Sequence, residues 1–152
     1  MLDRLQRERG FALIELLIAM LIIGALAAIA IPSFLTQRQK SQDTCAKSQV
    51  RTMQTTMETV YTEIGNYAGV DMNRLHSAEG AVVPTGACGS GTAATVGMIS
   101  GGACNGSVPT VARAYCVSQT SASGRNFVLA NNDGALTRVC SPSGGGCRNG
   151  VW

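Results

Sequence analysis

Two groups of residues in this chain have types and spacings that could do chemistry. One is Glu15, the single charge in the apolar run "FALIELLIAMLIIGALAAIAIP" at residues 11 to 32. A carboxylate in such a run can titrate, or pair with a cation supplied by another group. The other is a set of six cysteines, at 45, 88, 104, 116, 140 and 147, which can oxidise in pairs or bind metal.

The run around Glu15 admits four readings. Phe11 to Ile31 is 21 residues long, and at about 1.5 Å per residue such a helix spans a bilayer core of about 30 Å. Arg4, Arg7 and Arg9 precede it, an arrangement that keeps the N-terminus cytoplasmic and sends the rest across. A cleaved signal peptide fits, with a small-x-small site at Ala28, Ile29 and Ala30. So does an uncut anchor, whereas a buried soluble helix fits poorly because the run is apolar on every face. None of these explains Glu15, which costs a few kcal/mol in a membrane unless paired. The fourth reading supplies a partner: a cut between Gly10 and Phe11 creates an α-amino group four residues before Glu15, able to neutralise a carboxylate in the same chain or in a neighbour.

The stretch "RGFALIELLIAMLIIGALAAIAIPSF" resembles the class III leader and N-terminal helix of type IV pilins and the related type II secretion pseudopilins. The resemblance is close over residues 7 to 37 and covers only the general architecture downstream. It implies that Gly10 precedes the bond cut by prepilin peptidase and that Phe11 becomes an N-methylated terminus. It implies further that Glu15 meets the Phe11 amine of an adjacent subunit, and that Gly24 and Pro32 bracket a stretch that unwinds on assembly. Proline independently removes one helical hydrogen bond and crowds the preceding turn, so a bend or loosening is expected at Pro32. Gly24 reads equally as a residue for close helix packing.

The cysteines include no C-x-x-C pair, and His76 is the lone histidine, a pattern against a closed zinc site, so no metal or cofactor is expected. Downstream of an export-type segment they read as disulfides, with some left as buried thiols as the alternative. Cys140 with Cys147 is the first pair expected, because "CSPSGGGC" is a short flexible loop. Cys88 with Cys104 comes next, leaving Cys45 with Cys116.

These groups require elements to hold them. Val50, Met53, Met57, Val60, Tyr61 and Ile64 recur at helical spacing and continue the first helix as an amphipathic half that ends at Gly65 and Asn66. Arg38, Lys40, Lys47, Arg51, Glu58 and Glu63 are then expected on a solvated or subunit-facing side. Residues 65 to 107 read as a connecting region with loops at "VVPTG" and "GSGT" and a short strand at "TVGMI". Strands are expected at 111 to 117, 126 to 130 and 135 to 140, joined by "SASG" and "NNDG" turns into an antiparallel meander. Alternation in the first of them places Val111, Arg113, Tyr115 and Val117 on one face. Val151 and Trp152 are expected to cover the sheet edge.

The expected fold is α+β and pilin-like, with the apolar half of a long helix protruding and its amphipathic half packed on a small, disulfide-stapled antiparallel sheet. Its expected divisions are a leader (1 to 10), a membrane or filament-core helix (11 to 32) and a head (33 to 152). With a net charge of +3 over 152 residues, strong nucleic-acid binding is not expected. No phosphate-binding loop, G-x-S-x-G or H-E-x-x-H motif is present. His76 reads as an exposed or capping residue, and "NGS" at 105 to 107 as a turn.

The resemblance thus implies a structural subunit rather than an enzyme. It would be a membrane precursor that then polymerises into a homo-oligomeric surface filament, served by prepilin peptidase, an assembly ATPase and an inner-membrane platform. The alternatives are a pseudopilin, a minor pilin for DNA uptake or adhesion, and an exported enzyme. Major pseudopilins carry acidic calcium-binding C-terminal loops, whereas "SPSGGGCRNGVW" has no acidic side chain.

Overall fold

A computed structural model describes residues 13–86, 88, 93–100, 103–107 and 109–152. Gly10, Phe11 and the "GSGT" loop lie outside the described residues. The chain falls into two compact units, the first ending at Gln37 and the second running from Arg38 to Trp152. One helix, α1 (Leu13–Ile64), contributes to both.

In the first unit α1 is apolar on all sides. Its large hydrophobic side chains from Leu13 to Leu35 are 48% to 89% exposed, far more than a soluble surface normally carries. By length and composition the helix can cross a membrane. Pro32 lies inside it and can donate no bond of its own, while Thr36 Oγ1 donates to the Pro32 carbonyl at 3.0 Å.

In the second unit the helical spacing of three and four has its consequence: Ala46, Val50, Met53, Met57 and Val60 are buried along one stripe. The helix stops where the glycine allows it to. Gly65 takes a left-handed φ of 75°, and its N–H caps the Tyr61 carbonyl at 2.8 Å. A short helix, α2 (Met72–Ala78), follows, started by Asp71, whose side chain accepts the Arg74 N–H. The sequence reading has only a connecting region there.

The sheet is antiparallel with order β1 (Thr95–Gly97), β4 (Ala114–Thr120), β5 (Asn126–Asn132), β6 (Ala135–Ser141). A separate two-stranded ribbon joins β2 (Ile99–Ser100) to β3 (Ala103–Cys104). The β5–β6 turn needs left-handed backbone at both central positions, and Asp133 and Gly134 supply φ of 50° and 90°. Because side chains alternate, Tyr115, Val117, Phe127 and Leu129 join the α1 residues in the main core, while Cys116, Val128 and Ala130 form a small second core on the opposite face.

The first long strand begins at Ala114, three residues later than expected. Upstream, the Ala112 carbonyl accepts from Tyr67 N–H and the Arg113 carbonyl from Asp133 N–H, so that backbone serves loops rather than a ladder. Arg113 reaches water and pairs with Asp133 at 3.1 Å. At the C-terminus it is Trp152 that packs, edge-on to Phe127, donating Nε1 to the Val128 and Val139 carbonyls. Val151 stays 57% exposed.

Candidate functional site

The first candidate is the segment around Glu15. The carboxylate sits in the first turn of α1, where the exposed amides of a helix start favour negative charge. It is exposed, as are the leucines and isoleucines around it. A Cβ built at Gly24 would meet nothing within 4 Å. Among the described residues nothing therefore requires glycine at that position.

The second site was not legible in the sequence. Asp43 stands on the buried side of α1 at 0% exposure. Ser121 and Ser123 donate their hydroxyls to its Oδ1 at 2.7 and 2.5 Å. The Gly146 N–H donates to Oδ2 at 2.9 Å, and Arg125 Nη1 lies 3.3 Å away. Burial alone pushes the carboxyl up, but the bonds from Ser123, Gly146 and Ser121 and the Arg125 charge outweigh it and hold the group below its usual range. Lys47, one turn on, donates to the Gly146 carbonyl at 2.5 Å and lies 5.3 Å from the Phe127 ring centre.

Thus α1 grips the loop between Cys140 and Cys147 through both polar groups of one glycine. That loop has no room for side chains on its inner side: a Cβ at Gly145 would come within 2.6 Å of Asp43 Oδ2. The run of three glycines is the feature that could have indicated a close approach, although it reads equally as a flexible tether.

The third cluster corrects an expectation. Glu58, placed by its sequence position on the solvated or subunit-facing side, turns inward. It accepts from the Tyr67 hydroxyl at 2.7 Å, the Tyr115 hydroxyl at 2.8 Å and Asn131 Nδ2 at 3.3 Å. Burial and the bond to Glu58 push both phenols well above the ordinary tyrosine range. Of the side expected to be solvated, Lys47 is likewise turned to the Gly146 carbonyl and Arg51 lies 5.7 Å from the Trp152 ring centre, whereas Arg38, Lys40 and Glu63 are exposed.

Three disulfides close the head. Cys140 pairs with Cys147, but the other two pairs differ from those expected: Cys45 bonds Cys88, and Cys104 bonds Cys116. The reason is the sheet. Tyr115 and Val117 face α1, so Cys116 between them points to the opposite face. Cys45 on α1 cannot reach it through the sheet, whereas Cys104, brought by β3 to that far face, can. His76 Nδ1 donates to the Val82 carbonyl at 2.7 Å, and Asn105 Oδ1 accepts from Ser107 N–H in the turn expected at "NGS". Among the described residues no group of three or more metal-ligating side chains converges.

Comparison with known proteins bears on the first candidate most directly. Residues 5–31 match the family model for the prokaryotic N-terminal methylation motif. The chain is 42% identical over 62 residues to the type IV major pilin protein PilA of Myxococcus xanthus, covering 41% of this chain and 28% of that protein. It is 46% identical over 52 residues to the type IV major fimbrial protein FimA of Dichelobacter nodosus, covering 34% and 33%. The chain thus spans about a third of the length of these two relatives. Fimbrial protein EcpC of Eikenella corrodens is 31% identical over 145 residues, 90% of this chain and 84% of that protein. No solved structure matches the chain significantly.

Proposed function

Because the chain belongs to the type IV pilin family of fimbrial proteins, we propose that it is a structural subunit that polymerises into a pilus filament on the bacterial surface. The observation that carries this reading is an apolar helical segment exposed on every face with Glu15 as its lone charge. Such a surface is stable only in lipid or against other copies of itself. Polymerisation exchanges the first environment for the second.

In this reading residues 1 to 10 are a leader, 11 to 32 the membrane and filament-core helix, and 33 to 152 the head. Prepilin peptidase cuts after Gly10 and methylates Phe11, and an assembly ATPase with its inner-membrane platform extracts the subunit. Glu15 then pairs with the Phe11 amine of a neighbour. The pair acts mainly through register, because a slipped subunit leaves a carboxylate buried without its partner, a penalty of several kcal/mol. Gly24, with open space at its Cβ position, and Pro32, lacking an N–H, bracket the turns that loosen on assembly.

The test is Glu15→Ala in cells. Membrane insertion and leader removal continue, and surface filaments are lost. Wild-type filament yield from that variant would contradict the proposed role.

A further inference from the structure

Neither the apolar segment nor the Asp43 cluster uses the groove between α1 and the β5–β6 turn. Its volume is about 490 Å³, within the range of small-molecule sites. All three tyrosines of the chain gather here: Tyr61 and Tyr67 line the groove, and ring centres lie 4.6 Å apart from Tyr61 to Tyr67 and again from Tyr67 to Tyr115.

The charge at this site is the informative feature. Glu58 also lines the groove, and its three hydrogen-bond donors, Tyr67, Tyr115 and Asn131, are all neutral. They occupy three of its roughly four lone-pair sites without cancelling its charge, and the raised phenol pKa values keep both tyrosines protonated. Among the described residues no lysine, arginine or histidine forms an ion pair with Glu58. The Arg113–Asp133 pair at the rim is exposed at both ends and neutral as a unit. The groove therefore holds one net negative charge beside aromatic rings, whose faces also attract cations.

We propose that this groove binds an organic cation, a guanidinium or alkylammonium group, with Glu58 supplying the charge and Tyr61 the ring face. An anion would be repelled by Glu58. A hard metal ion would need several free oxygen ligands, and most acceptor sites of Glu58 are already engaged. The inference stands whether or not the chain polymerises.

The experiment uses the full chain in detergent micelles, with carbon-13 in the tyrosine rings so that three ring signals report. It is titrated with N-methylguanidinium and, separately, with its neutral isostere N-methylurea. The cation is expected to shift the Tyr61 signal saturably and the urea to leave it unmoved. Glu58→Gln should weaken binding about tenfold or more. Asp133→Asn, which leaves the Glu58 network in place and frees Arg113 to compete, should weaken it by about threefold. No saturable shift, an equal response to N-methylurea, or unchanged affinity in both variants would overturn the proposal. Repeating the titration on sheared filaments identifies the source: exclusion of the probe assigns the groove to an arginine or lysine of a neighbouring copy, and retained binding to a free cation.

Discussion

Asp43 and Gly146 lie 103 positions apart in sequence and 2.9 Å apart in space, the carboxylate accepting the glycine N–H. This contact fastens the last disulfide loop to the helix that begins the head. The loop has little apolar material of its own, so its position depends on a few polar bonds made out of water, where each is costly to leave unmade.

Acid should release that loop. The Asp43 carboxyl is held below its ordinary value of 3.8 because the Ser123, Gly146, Ser121 and Arg125 interactions outweigh burial. Its contribution is therefore complete above the unfolded pKa and is lost as pH falls through the lower folded one. Thermal unfolding followed from pH 7 to pH 2 should show a drop in Tm below about pH 4. In Asp43→Asn the drop should be smaller. Asp43→Ala at pH 7 should cost about 3–5 kcal/mol, since it strands Arg125.

Gly145→Ala should be destabilising by about 1–3 kcal/mol. Its Cβ would lie 2.6 Å from Asp43 Oδ2 and 2.9 Å from Arg125 Nη1, on backbone with φ of 52°. Gly80→Ala, with nothing within 4 Å and no left-handed φ, is the matched control and should leave Tm unchanged. Equal effects of the two would contradict the close approach.

The disulfides should differ in weight. Cys45–Cys88 closes a separation of 43 residues and Cys140–Cys147 one of 7. By loop-closure entropy the first constrains the unfolded chain by about 4 kcal/mol and the second by about 2.5. Urea unfolding of paired Cys→Ser variants should rank them in that order. Peptide mapping without reduction should recover Cys104 linked to Cys116, and recovery of Cys88 linked to Cys104 would contradict the sheet argument.

Much of this architecture was legible because it rests on local rules. Gly65 ends α1 where the apolar spacing stops, and Asp133–Gly134 makes the turn its residue types demand. The apolar run with Glu15 needs no tertiary information at all. What escaped depends on pairings distant in sequence. On a helical wheel Asp43 falls in line with Val50 and Met57, so the wheel shows an acid on the apolar stripe but not Ser121, Arg125 and Gly146, the partners distant in sequence that let it sit there. Glu58 falls beside the stripe, and only Tyr67 and Tyr115 mark it as inward. The cysteine pairs escaped for a related reason: strand alternation settles which face Cys116 takes, but it required knowing that α1 lies on the face of Tyr115.

The N-terminal sequence and intact mass of the exported protein test the central claim most directly. The account predicts a chain that starts at Phe11 and carries the mass of one added methyl group. A start at Met1 would contradict it by leaving Glu15 without a new amine nearby, and a start at Ile31 would contradict it by removing Glu15 with a signal peptide.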